Sequence, residues 1–451
     1  MKNDLFWEIP SSLNLEDILK KRPPEFKYKI DKFYYILDYL ARGMDVEDLD
    51  NNEGFINLNA KRLQEAVHDY KDYLDYLLKR GIISTDMIYI VGKKSKGYRI
   101  NSNKEHKVSV QRIPITSWPM QKKKRKEQED LVAENNKTVK GYGHLTKWFN
   151  DKLQIDETGA KAKIEEVFPE PSGPIRGKLK GRPSDWNKRY KAIYSIEKFA
   201  KGDFYYSVDD NVGRFHSNLT NIKKELRHYI TFDGQRLVNV DIKNSQPLFS
   251  QLLLSKNFYE NESEPSIFNF PHSFKLISPS SNSPSFTIMV VKMLQKLNNE
   301  DIGKYVSMVN SGQFYNQMSD LLFPNQAFEK KKVKMMFFKV LFSSNYVLGQ
   351  PSAKDKKKFA ESFPDVYQIF KLIKRKNHTA LAHILQRIES EVILRKVVSR
   401  IASEKPNLPI FTIHDSVATT VGDEKYVKNV MKEEIKSFTK LNAKFGLEYW
   451  D

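Results

Sequence analysis

Two short β-prone runs, Arg236–Val240 (RLVNV) and Pro409–Ile413 (PIFTI), each end on an acid: Asp241 after the first, His414-Asp415 after the second. Each presents a carboxylate at or just past a strand end, and a third β-prone run, Val417–Val421, follows the second acid. Runs rich in β-branched and aromatic residues favour strands. If the strands lie side by side, the two carboxylates meet. Hard oxygen ligands of this kind select Mg²⁺ or Mn²⁺. A pair of such ions clamps the attacking and leaving oxygens of a phosphoryl transfer. Taken singly, an aspartate after a strand is most often a turn residue, so the pair needs a third element before it means anything.

That element is Glu329–Tyr346, EKKKVKMMFFKVLFSSNY. Lys330, Lys334, Phe338 and Phe342 recur at every fourth position and share one helical stripe. Met336, Val340 and Leu341 fall on the other flank and can pack inside. A stripe that begins cationic and turns aromatic suits a nucleoside triphosphate, with cations on the phosphates and a ring under the base. The competing reading is a lysine-rich amphipathic helix with a phenylalanine core face.

The rest of the chain bounds the partners. The 451 residues suffice for two or three domains. Lys and Arg total 75 against 56 Asp and Glu, a net charge of +19. That excess points to a polyanion, unless it only reflects a lysine-rich proteome. With no cysteine, disulfides, thiolate catalysis and zinc fingers are excluded. The N-terminus lacks a signal-peptide apolar run, and no apolar stretch reaches membrane-spanning length. The expectation is a cytoplasmic protein, or a virus-encoded one acting in the host cytoplasm.

Before the first acid the chain reads as modules. Residues 1–55 look helical and irregular, with an aromatic amphipathic piece at Phe26–Leu40. From Leu58 to Lys79 apolar residues recur at helical spacing, and Arg80-Gly81 ends the pattern. Ile82–Val91, the loop Gly92–Arg99 and Ile100 then read as strand, basic loop and return strand. Helix, strand and basic loop resemble a winged-helix module whose wing carries Lys93, Lys94, Lys96 and Arg99. A solvated hairpin beside a small helical domain is the alternative. Residues 101–140, with the run Lys122–Lys126, read as a basic solvated linker. Gly173–Arg182 reads as a basic loop, and 261–285 as a Ser/Pro/Asn-rich flexible excursion.

The order and content of the chemical segments resemble the motifs of family A DNA polymerases and their relatives, the phage-type single-subunit RNA polymerases. Val240–Gln246 resembles motif A, Lys330–Phe342 motif B, and Ile413–Ser416 motif C. Asp210–Ser217 is similar to the Gly-Arg element placed on primer–template, and Leu385-Gln386 to the glutamine that contacts the duplex minor groove. The resemblance covers Tyr205 to Val421 and implies an α+β fold: a right-hand polymerase core with an antiparallel palm sheet and helical fingers, joined to the winged-helix-like module. The expected domains are 1–100 for that module, 101–140 for the linker, 141–207, from its position alone, for a thumb-like or connecting region, and 208–451 for palm and fingers.

By this resemblance Asp241 and Asp415 hold two Mg²⁺ (or Mn²⁺) ions, and Lys334 contacts triphosphate and acts as general acid. Lys330 holds phosphate, while Phe338 and Phe342 pack against the incoming sugar and base. Arg214 and Gln386 touch the nascent duplex, and His414 positions the primer end. Implied partners are a DNA template, a nascent DNA or RNA strand, and nucleoside triphosphates. Four departures stand out. Lys330 replaces the usual Arg, and Ser343-Ser344 replaces a Gly. Ser416 follows the second aspartate where DNA polymerases carry Glu, as in the RNA polymerases. Gln246 occupies the position of a sugar-excluding Glu. The balance leans slightly to RNA synthesis. A DNA polymerase without proofreading and a non-catalytic DNA-binding protein are the alternatives.

Overall fold

The computed structural model describes residues 5–46, 54–91, 94–101, 108–168, 185–260, 265–277, 285–297, 299–324, 330–345 and 353–451. They form a mixed α and β chain with antiparallel strand pairing. The chain divides into two compact units, and the division is interleaved. The first takes residues 1–137, 149–205 and 217–233; the second takes 138–148, 206–216 and 234–451.

In the first unit the helix Ile30–Val46 packs against the strand Phe6–Pro10 and the helix Asp185–Ala200. Phe33, Tyr35, Ile36, Leu37 and Leu40 are wholly buried on it, the aromatic amphipathic pattern read from the sequence. The strand Phe6–Pro10 pairs antiparallel with Val110–Pro114. This corrects the expectation of a solvated linker over 101–140. That segment supplies a strand and the helix Trp118–Thr138. Lys124, in the middle of the basic run, turns inward: its Nζ donates to Asp38 Oδ2 at 2.7 Å and lies 5.1 Å from the Trp7 ring centre. A buried acid 86 residues away, which no charge count along the chain reveals, is the physical reason. The expected helix over 58–79 is two helices, Ala60–Ala66 and Tyr70–Lys79. They accompany a three-stranded sheet in the order Ile56–Asn57, Gly97–Ile100, Ile83–Thr85.

The second unit carries the sheet that matters here. Its strands run antiparallel in the order Ile410–Ile413, Ser416–Thr420, Gln235–Ile242, Phe445–Tyr449. The central strand Gln235–Ile242 is buried from Leu237 to Val240, as expected where neighbours lie along both edges and helices cover the sheet. The helix Glu424–Thr439 packs on the two middle strands. Beside the sheet, a cluster of rings forms around Phe337: Phe314 at 5.0 Å, Phe359 at 5.8 Å and Tyr305 at 6.5 Å between ring centres. The excursion expected at 261–285 is folded where it is described, with a helix at Pro271–Ile277. The basic loop expected at Gly173–Arg182 lies outside the described residues.

Candidate active site

The central strand ends by delivering Asp241, and the chain then breaks sharply. Asn244 sits in the left-handed region at φ +57°, a conformation its short side chain tolerates better than most. Its Nδ2 donates to the carbonyl of Gly312 at 3.3 Å. The break starts the buried helix Ser245–Ser250, which puts Gln246 in its first turn. Across the sheet, Asp241 pairs in register with Ser416. Ile413 also pairs with Ser416, so His414-Asp415 is the two-residue turn of a tight hairpin. His414 has φ +55°, at a position where such turns prefer glycine. Ser416 Oγ ties the turn by donating to the Ile413 carbonyl at 2.7 Å. Asp241 thus stands one register position from Asp415, and both line one cleft of about 620 Å³.

The helix Lys330–Phe342 supplies the facing wall. Val333, Met336, Phe337, Val340 and Leu341 are buried, while Lys334, Phe338 and Phe342 line the cleft. Lys334 Nζ lies 5.5 Å from the Phe338 ring centre, and the Phe338 and Phe342 rings are 5.4 Å apart. The side chain of Lys330 lies outside the described residues. The glycine missing after Phe342 is replaced by a different stop. Lys374 Nζ donates to the Val340 carbonyl at 2.5 Å and Lys356 Nζ to the Ser344 carbonyl at 2.9 Å, cations at the negative end of the helix dipole. Burial, then the neighbouring Lys356, pushes the Lys374 ammonium down to about 7.

Arg214, Gln386 and His414 line the same cleft. Asp209 shapes the Arg214 turn by accepting from the backbone N–H groups of Val212 and Arg214, both at 2.8 Å. Burial raises the Asp209 carboxyl, but bonds from His216 and these amides hold it down to about 2. Gly213, at φ +71°, leaves room that a Cβ would close, since Arg387 Nη1 would lie 2.4 Å from it. Every site residue from Arg214 to Asp415 whose side chain is described therefore meets in one cleft. Six lining residues escaped the sequence reading: Gly312, Gln313, Tyr315, Asn316, Glu389 and Gly446. Glu389 had a signal, standing one turn from Gln386 on the helix Ala380–Ser390. Its carboxylate accepts from Arg214 Nη2 and, at 2.7 Å, from Gln246 Nε2. Burial and then the charge of Asp415 push it up to about 7, against the pull of Arg214 and Gln246. Burial, then Asp415, also raises the Tyr315 phenol.

The carboxylates fit hard divalent ions of one kind. Among the described residues, no group of three or more His, Cys, Asp or Glu could hold a metal. Two carboxylates open to a cleft suit Mg²⁺, which commonly binds through one or two carboxylates plus substrate phosphates. In the first unit, the expected basic loop is partly committed to its own fold. Lys94 Nζ pairs with Asp86 at 2.9 Å, and Arg99 lies over the Phe55 ring at 4.5 Å. Lys96 is exposed, and Lys93 lies outside the described residues.

No family model matches the sequence, and no curated protein matches it. Among solved structures, the POL domain of Pol1 from M. smegmatis, in complex with DNA primer-template and dNTP, is similar with a TM-score of 0.36 and 12% identity. The match covers 72% of this chain and 66% of that one, so the chain spans just under two thirds of that domain. A likeness this loose defines neither fold nor activity. Among the described residues, no helix is long and apolar enough to cross a membrane.

Proposed function

We propose that this chain is a template-directed nucleic-acid polymerase that adds nucleoside monophosphates to a 3′-hydroxyl and releases pyrophosphate, with RNA as its product. One observation carries the reading. Side chains from Arg214, Asp241, Lys334, Gln386 and Asp415, spread over two hundred positions of sequence, line a single cleft. Asp241 and Asp415 would hold two Mg²⁺ ions, which supply charge neutralisation at the attacking and leaving oxygens. Lys334 meets the triphosphate and gives a proton to the departing pyrophosphate. Phe338 and Phe342 offer their rings to the base and sugar. Arg214 and Gln386, which line the same cleft, would touch the nascent duplex, and His414 would position the primer end. In the first unit, the two-helix, three-stranded module with its basic hairpin acts as a winged-helix-like contact to phosphates.

The test is primer extension on a defined template with NTPs and dNTPs supplied separately, with and without Mg²⁺. Extension should require Mg²⁺, and Asp415→Asn should abolish it while changing nucleic-acid affinity by less than about twofold. Extension that survives in the variant or without a divalent ion overturns the reading. Binding with no extension under any condition favours the non-catalytic alternative.

A further inference from the structure

Among the described residues, Glu389 is the buried acid lining the cleft that the chemistry above leaves without a task. It is 1% exposed, and both of its oxygens are engaged, one by Arg214 and the other by Gln246. Gln246 is itself only 7% exposed and lines the cleft. An ionised carboxylate can only accept hydrogen bonds, so the edge of the Gln246 amide facing it must be the NH₂ group. The amide carbonyl is thereby turned away. That Oε1 is buried and has no hydrogen-bond partner.

A buried acceptor without a donor is unfavourable, and a ligand that brings a donor relieves it. A ribose brings one in its 2′-hydroxyl, where a 2′-deoxyribose carries only hydrogen. Had Gln246 been free to turn, its amide could have offered either group to the sugar. Glu389 removes that choice, and Arg214 holds the carboxylate in place.

We propose that Glu389 is a specificity-determining positioning residue: it locks the Gln246 amide so that the incoming sugar meets a hydrogen-bond acceptor, and so selects ribonucleoside triphosphates. The proposal rests on the polymerase reading and names its substrate class.

The experiment compares kcat/KM for one NTP with that for the matching dNTP, with Mg²⁺, at pH 8.5, where a carboxyl titrating near 7 is ionised. The wild type, Glu389→Gln, Glu389→Asp, Gln246→Ala and the double variant Glu389→Gln/Gln246→Ala are measured. The wild type should prefer the NTP by at least about tenfold, because a site built to bond a hydroxyl rejects the analogue lacking it. In Glu389→Gln the new amide donates as well as accepts, so the Gln246 amide is released. The preference should fall by about tenfold, chiefly through KM for the NTP. Glu389→Asp, still acceptor-only, should keep the wild-type ratio within about threefold. Adding Gln246→Ala to Glu389→Gln should change the ratio by less than about twofold, since both act through one amide. An unchanged ratio in Glu389→Gln, or effects of the two changes that multiply, overturns the role of Glu389. So does a rise in NTP preference in Gln246→Ala, a result that stands even where the Glu389 variants do not fold. Such outcomes, with wild-type extension that Asp415→Asn abolishes, leave the polymerase reading intact. No extension by the wild type overturns both.

Discussion

Replacing Glu389 by Gln should change how the stability of the protein depends on pH. The carboxyl titrates near 7 in the fold, against an ordinary 4.5, mainly because it is buried and next because Asp415 is close. Between those two values the folded chain keeps a proton that the unfolded chain has lost. The contribution of Glu389 to stability therefore falls as pH rises from about 4.5 to 7 and levels off above that. At about 1.36 kcal/mol per pH unit, the whole effect is about 3 kcal/mol, most of which falls between pH 5 and pH 8. A glutamine has no such proton. Relative to the wild type, Glu389→Gln should thus gain about 2–3 kcal/mol on going from pH 5 to pH 8, whatever constant penalty the lost ion pair with Arg214 adds. Urea unfolding at the two pH values, in EDTA, measures this. Trp450 is a suitable fluorescent reporter because it is 1% exposed and its backbone N–H closes the sheet on Leu237 at 2.9 Å. A relative gain below about 1 kcal/mol would refute the argument, because Glu389 would then be ionised at little cost in the folded protein.

Two neighbouring phenylalanines should behave oppositely. Phe337→Ala, wholly buried among rings, should cost about 3–5 kcal/mol of stability. Phe338→Ala should cost under about 1 kcal/mol and instead raise KM for the triphosphate roughly tenfold, since ring–base stacking is worth ~1–3 kcal/mol; circular dichroism melts and steady-state kinetics separate the two. In the first unit, Lys93→Ala with Lys96→Ala should reduce the slope of log affinity for duplex against log salt by about 1.8, two phosphates' worth. Fluorescence anisotropy across a salt series reads it, and an unchanged slope makes the hairpin a solvated turn.

Much of the candidate site was legible in the chain because its signals are local. A β-prone run ending in Asp241, another ending in Asp415, and a stripe repeating every fourth residue from Lys334 to Phe342 all follow from backbone periodicity. So does the inward flank of that helix, where Met336, Val340 and Leu341 are buried as their spacing requires. What the sequence could not show depends on partners far along it. Glu389 follows Gln386 by three residues, an ordinary helical neighbour, until Arg214 and Gln246 are brought to it from 175 and 143 residues away. The basic run at Lys122–Lys126 read as solvated because solvation is the default for like charges; the buried Asp38 reverses that for Lys124 alone. The breaks that aim the acids, at Asn244 and His414, are also tertiary decisions, since neither residue demands a left-handed backbone by itself. Local pattern determined which helix face and strand ends line the cleft. Only long-range packing decided which buried charges face one another, because the energy of a buried charge is set by what surrounds it in space.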